Sequence, residues 1–487
     1  GVSVKTFHAA ALSQLEYFWP QLAGVPAPNV LTSKSKLIAE AMDSLGLKFD
    51  AAILRDLAAE IEWRKYTMRS ISQYRDQLAN RAGISGLSTE QLVSIHEAYE
   101  DLKVKAQKLD WEDVLILTLG MLQAEPRILA HVQQQYRFFT VDEYQDISPL
   151  QQALLEMWLG DRNDLCVVGD PNQTIYSFTG ASSSYLLGFT STYPDATVVS
   201  LSRNYRSTPN IIGLANRLIR GETELDELVS QRMPGIEPRV AGFKSPQEEA
   251  ANIADEIKRQ ISSGVKPNEI AILYRVNSQS EIFEKALADR SIDYQVRGGE
   301  RFFNRPEILQ VMRLIRAELI VPTDKPLFQI VSDAAREVGW KAKEPVEGGA
   351  VRDKWEALNS FVAIIDELPK GSTLEEFVKE VDERMRSQHE PVKAAVTLST
   401  IHAAKGLEFP VVFLAGFEEG LFPHEMALQD NNLEEERRLC YVGITRAMRE
   451  LVITHAEMRR LYGSDSYHVP SRFLREIPDA LLAPVRP

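Results

Sequence analysis

Short apolar runs that stop at an acid or an amide recur along this chain, with helical segments between them, and that alternation limits its fold more than any other feature. Residues 138–141 stop at Asp142, residues 165–169 stop short of Asp170, and residues 197–201 lead to Asn204. Between the first two lies Pro149–Leu159, with apolar residues at helical spacing. Thr208 and Pro209 supply an N-cap and a first-turn proline for a helix over 210–220. A second series runs helix 248–262, strand Ile270–Tyr274, helix Ser280–Ala288 and strand 294–296, and resumes with strands 395–401, 411–415 and 450–454. Strands alternating with helices predict parallel sheets covered on both faces, with ligands bound at the carboxyl ends of the strands. The fold class expected is therefore α/β, in two parallel-sheet lobes. The first stretch, through about Lys108, reads as mainly helical, with apolar residues at helical spacing in Ala51–Tyr66 and 91–109, and residues from about 316 to 392 break the alternation and read as a helical insertion.

The residues at the strand ends carry phosphate chemistry. In VDEYQD (141–146) a strand ends in two adjacent carboxylates. Asp142 can hold Mg²⁺, directly or through water, and Glu143 can orient or deprotonate an attacking water; the plain alternative is a pair of acids solvating a turn. One strand later, in GDPNQTIYSFTGA (169–181), Gln173 is an amide placed to sense a γ-phosphate or the water. Tyr176 and Phe178 alternate toward one side, where they either stack bases or pack in a core. In SRNYRST (202–208), Arg206 can neutralise charge on a transferring phosphoryl group, and Tyr205 offers a flat face to a purine. Arg446, in GITRA after an amphipathic helix beginning at Glu434, is the second arginine that an interdomain arginine finger needs. In HAAKGLEF (402–409), Gly406 and Glu408 fall in a short loop, and the Glu408 carboxylate can accept hydrogen bonds from ribose hydroxyls. No phosphate-cradling GxxxxGK[ST] occurs in the chain: the glycines around Lys405 are wrongly spaced, and Lys5-Thr6 lacks both the preceding glycine and a preceding strand. His8 and His402 stand too isolated to make a metal site.

Composition narrows the class. With 487 residues the chain has room for three or four domains of roughly 100–200 residues each. No apolar run is long enough to span a bilayer, and the first eleven residues lack the basic head and apolar core of a signal peptide, so a cytoplasmic protein with no membrane partner is expected. Two cysteines, Cys166 and Cys440, exclude a disulfide framework and a four-cysteine zinc site, and Cys166 reads as a buried thiol within its strand. The net charge of −14 argues against wrapping nucleic acid by bulk electrostatics, so any such binding must use a local groove.

The motif strings above, with AILYR at 271–275 and ERRLCYVGITRA at 436–447, closely resemble in kind and order motifs II through VI of the superfamily 1A helicases of the UvrD/PcrA/Rep type. The match runs from TFHAAAL at 6–12 to SRFLREI at 471–477. It implies two RecA-like lobes with helical inserts: an incomplete lobe 1A at 1–29 and 109–205, insert 1B at 30–108, lobe 2A at 206–315 and 392–487, and a short insert 2B at 316–391. It implies ATP and Mg²⁺ as cofactors, with Asp142 on the metal, Glu143 on the water, Gln173, Arg206 and Arg446 around the γ-phosphate, Tyr205 on adenine and Glu408 on ribose. Thr6, Phe7 and His8 match a strand-binding motif of lobe 1A, Phe178 a base-stacking aromatic, and Asn277 and His424 single-strand contacts of lobe 2A. Such enzymes move 3′ to 5′ along single-stranded DNA and unwind 3′-tailed duplexes in repair or replication, near the nucleoid and alongside other repair or replication proteins. The family's Q motif and Walker A loop lie upstream of TFH, so this sequence is expected to be a shortened form or the native protein to continue before Gly1. Ser177 and Thr179 stand where arginines are common, which predicts a weaker phosphate grip. Without a P-loop, the alternative for these residues alone is a non-catalytic DNA-binding or scaffolding fragment; a nuclease-fused relative is disfavoured, because no acid cluster follows Ala447.

Overall fold

The computed structural model describes residues 2–79, 83–84, 86–220, 227–297, 302–319, 325–343, 345, 349–369, 371–386, 394–429, 432–461, 464–478 and 481–484. The 391/392 boundary expected for the second insert lies outside them. The chain divides into two compact units, Gly1–Thr197 with Gly349–Val351, and Val198–Gly348 with Arg352–Pro487.

The first unit is mostly helical. Phe7–Ala23, Trp111–Ala124 and Pro149–Leu159 pack around Ala11, Leu15, Val114, Leu122, Leu150 and Trp158. Ser35–Ser44, Ala51–Tyr66 and Thr89–Lys105 enclose a second core at Ile38, Leu57, Ile61, Tyr74 and Tyr99. Polar residues start these helices where the sequence places them: Ser70, Ser88, Asp110 and Ser148 each cap an N-terminus in a reciprocal capping box. Strands Phe139–Val141 and Leu165–Val167 pair in parallel, Val141 opposite Val167. Their alternate side chains Phe139, Val141, Leu165 and Val167 turn toward a core of Tyr144, Ile147 and Leu155. Cys166, between two inward residues, therefore points outward and is exposed, not buried as expected.

The second unit holds a seven-stranded sheet, parallel at every pairing, in the spatial order Ala483–Pro484, Arg239–Phe243, Ala447–Ala456, Phe409–Leu414, Ile270–Tyr274, Val396–Thr400 and Tyr294–Arg297. Ile270–Tyr274 and Val396–Thr400 are buried along their whole length, as central strands covered on both faces must be. The expected α/β class with parallel sheets is what the chain forms. The strand expected at 197–201 does not form. Val198, Val199 and Leu201 are 74%, 72% and 76% exposed, and pairing begins only at Arg203–Asn204, opposite Val229–Ser230. Apolar sequence alone does not make a strand; a ladder partner must take its N–H and C=O groups.

Helices Pro306–Glu318, Leu327–Glu337, Leu374–Arg386 and most of Gly349–Ala363 surround their own core of Phe302, Phe303, Trp340, Phe361 and Phe377. Arg384 fastens this helical part to the helix Ser280–Ala288 by bonding Glu281, at 2.9 Å, and Lys285 of that helix repeats the link through Glu367, at 2.7 Å. Among the described residues no helix is long and apolar enough to cross a membrane.

Candidate nucleotide and nucleic-acid site

In the first unit, the two parallel strands end side by side and deliver Asp142 and Asp170 to neighbouring positions. The Val168 amide donates to the Val141 carbonyl (2.8 Å) and the Tyr144 amide to the Val168 carbonyl (2.9 Å), so the two loops leave together. Asp142 is exposed, and its Oδ1 accepts the Glu143 amide at 2.9 Å. Glu143 adopts φ 54° and ψ 40°, a left-handed conformation that costs a non-glycine residue roughly 1–3 kcal/mol. Its carboxylate Oε2 accepts a hydrogen bond from Gln145 Nε2 at 2.5 Å. Gln145 Oε1 accepts the Asp170 amide at 3.0 Å, and Asp170 Oδ2 accepts from Gln173 Nε2 at 3.0 Å. Asp142, Glu143 and Gln173 are thus brought together, and the buried Gln145, which the sequence reading passed over, stands between the last two. Gly169 allows it: a Cβ there would lie 2.5 Å from Gln145 Oε1. An exposed carboxylate at a strand end fits Mg²⁺, which is commonly held by one or two protein carboxylates plus phosphate and water.

The expected strand-binding residues of this unit separate into two kinds. Thr6 caps the helix Phe7–Ala23 through the Ala9 amide, and Phe7 stacks on Trp158 at 5.8 Å, so both support the fold. His8 faces a recess of about 390 Å³ with Lys34, Glu62, Tyr66, Trp111 and Glu112. Its Nε2 lies 3.2 Å from the Tyr66 hydroxyl, and burial, with Lys34 adding to it, holds its imidazole below the ordinary range. Ile175 is fully buried, Tyr176 is half-buried, and Phe178 is 56% exposed and meets Tyr176 edge-on at 6.0 Å. Core packing therefore does not account for Phe178.

In the second unit, two groups of expected residues lie at opposite ends of the sheet. Glu408 and Arg446 directly precede the strands Phe409–Leu414 and Ala447–Ala456, and the segment that follows Arg203–Asn204, with Tyr205 and Arg206, is tied to the start of the second of these. Ser207 Oγ donates to the Ala447 carbonyl at 2.6 Å, and the Phe409 amide donates to the Arg446 carbonyl at 2.9 Å, which gathers the four at the amino ends. The expectation that such residues gather at carboxyl ends fails for this group, because Glu408 and Arg446 come just before strands of the sheet, and Tyr205 and Arg206 are held there by the bond from Ser207 to Ala447. Asn204 Oδ1 accepts the amides of Arg206 and Ser207 and so turns the chain there. Tyr205 is 66% exposed, and Arg206 Nε bonds Glu408 Oε2 at 2.6 Å. Arg446 is only 1% exposed; its guanidinium donates to the carbonyls of Val442 (3.1 Å) and Leu407 (2.9 Å).

Asn277 and His424 follow strands and sit at the carboxyl ends. His424 Nε2 lies 3.5 Å from Glu356, which also accepts from Ser278 at 3.2 Å. A cavity of about 690 Å³ opens here, lined in part by Ser278, Trp355, Glu356 and His424. Glu436 ties the ends of these loops: it takes Arg275 in a two-pronged pair and accepts the His424 amide at 2.9 Å. Burial would raise the Glu436 carboxyl, but Arg275 outweighs it and holds it low, while burial aided by Arg275 pushes the His402 imidazole down to about 3. Glu436 and Arg446 lie near opposite ends of one helix, Leu433–Thr445, about 20 Å long at 1.5 Å per residue. The sequence named Arg446 and missed Glu436; a carboxylate in a first helical turn carries no signal without its partner across the fold.

Family models match along most of the chain: the UvrD/REP helicase N-terminal domain over residues 1–194, and the UvrD-like helicase C-terminal domain over 199–352 and 347–458. The ATP-dependent DNA helicase UvrD2 of Mycobacterium tuberculosis is 43% identical over 98% of this chain and 70% of its own length. The ATP-dependent DNA helicase PcrA of Staphylococcus aureus is 30% identical, over 85% of this chain and 68% of its own. Motif order, parallel-sheet architecture and these similarities agree: the chain belongs to the UvrD-like helicase family.

Proposed function

We propose that the natural protein is an ATP-dependent DNA helicase that moves 3′ to 5′ on single-stranded DNA and opens 3′-tailed duplexes during repair or replication. The observation that carries this reading is the constrained carboxylate pair, Asp142 exposed at a strand end and Glu143 held in a left-handed backbone with one oxygen anchored. A carboxylate held in a sparsely populated backbone conformation, beside a second carboxylate that can take Mg²⁺, supports its assignment as the acid that activates water at a phosphoryl group. Glu143 orients and deprotonates the water, and Gln173 reads the γ-phosphate. Mg²⁺, held by Asp142, would supply charge neutralisation on the phosphates. Arg206 and Arg446 add positive charge, Tyr205 stacks on adenine and Glu408 meets the ribose. Since Arg206 and Glu408 pair with each other, nucleotide binding exchanges that pair for phosphate and ribose contacts. Single-stranded DNA runs over His8, Tyr176 and Phe178, with Thr6 and Phe7 setting the position of His8, and over Asn277 and His424. The four-part division into 1A, 1B, 2A and 2B and a cytoplasmic, nucleoid-associated location belong to the same proposal.

Strand displacement tests it. With ATP, the natural full-length protein should release a labelled strand from a 3′-tailed duplex and leave a 5′-tailed one intact. Release from neither overturns the helicase reading, and release from the 5′-tailed substrate alone overturns the polarity.

A further inference from the structure

We propose that Gln145 is a positioning residue for hydrolysis: it fixes the Glu143 carboxylate and ties that carboxylate to the Asp170–Gln173 segment. This rests on Glu143 being the water-activating acid. Gln145 is completely buried, at 0% exposure, and both ends of its amide are used. The Asp170 backbone N–H can only donate, so the amide atom facing it at 3.0 Å is the oxygen, and the nitrogen must face Glu143 Oε2 at 2.5 Å. An ionised carboxylate accepts only, so the same orientation is demanded from the other side. Asp170 then continues the line, its Oδ1 taking the Asn172 amide at 2.9 Å and its Oδ2 taking the Gln173 side chain at 3.0 Å. A shift of the residue that senses the γ-phosphate therefore moves the anchor of the acid that activates water. Gln145 touches no reacting atom; it acts through Glu143. Gly169 is part of the device, because any Cβ there would press on Gln145 Oε1 at 2.5 Å.

Glutamate at position 145 separates this role from simple space-filling. A protonated carboxyl reproduces both bonds, its carbonyl accepting from Asp170 and its hydroxyl donating to Glu143. An ionised one has no donor and sets a second negative charge against Glu143. Burial and the neighbouring charge both raise the pKa of such a group. In the natural full-length protein, single-strand-stimulated ATPase of Gln145→Glu should therefore approach the parent at low pH. It should fall about tenfold per pH unit above the new titration point, a limb the parent lacks. Gln145→Met, close in volume but without polar atoms, should lower kcat about 10–100-fold at every pH and leave KM for ATP within about twofold, the pattern of lost positioning. Thermal melting of each variant checks that it is folded, and Glu143→Gln is assayed alongside. If Glu143→Gln keeps turning over, the assignment of the water-activating acid fails. If it abolishes turnover while Gln145→Glu keeps the parent's pH profile, or loses activity equally at all pH values, the positioning role alone is overturned.

Discussion

Phe178 illustrates how one side chain divides between folding and function. Ile175, three residues earlier, is fully buried and anchors the loop, while Phe178 keeps 56% of its surface exposed. Exposed aromatics contribute little to folding, whereas a base stacked on one gains roughly 1–3 kcal/mol. Phe178→Ala should therefore lower single-strand-stimulated ATPase by about 5–100-fold while basal ATPase and melting temperature stay near those of the parent. Equal loss of basal and stimulated rates would mean a packing role. The residue type was legible in the sequence, but the choice between stacking and packing was not, because alternation toward one side does not say whether that side is covered. Gln145 escaped notice for a related reason: its value lies in Asp170, 25 positions away in sequence.

At the scale of elements, helix Trp111–Ala124 depends on a residue with two duties. Asp110 caps its N-terminus through the Asp113 amide, and the same carboxylate takes Lys65 at 2.6 Å and Lys103 at 3.1 Å. Burial would push Asp110 up, but Lys65 and Lys103 outweigh it and hold its carboxyl well below the usual range. A depressed folded-state pKa stabilises above the unfolded value, about 3.9, and that stabilisation is lost as pH falls toward the lower folded-state value. Asn caps about as well as Asp, so Asp110→Asn removes the charge and spares the cap. Urea unfolding should show a loss of about 3 kcal/mol at pH 7, as expected when a buried pair loses one partner, and the gap to the parent should narrow below about pH 4. A constant gap across pH would assign the effect to packing. The lysines that share the cap come from two other helices, Ala51–Tyr66 and Thr89–Lys105, so sequence proximity does not reveal them.

For the whole molecule, a net charge of −14 means that DNA must be held by a few local contacts against an unfavourable overall field. Single-strand affinity should then fall with log salt at a slope shallower than about −5, since each neutralised phosphate contributes about −0.7. A slope near −10 would reveal an extended basic track. The sequence by itself determined the parallel α/β architecture and offered the candidate phosphate-directed residues, because apolar period and strand-ending acids are local signals. It misplaced the strand at 197–201 and the Cys166 thiol, since pairing and the covered face of a sheet depend on neighbours distant in the chain. Only the tertiary structure decided that Arg206, Glu408 and Arg446 sit at the amino ends of the second sheet, with Asn277 and His424 at the other. Position relative to a strand becomes position in space only once the strands have lined up in parallel.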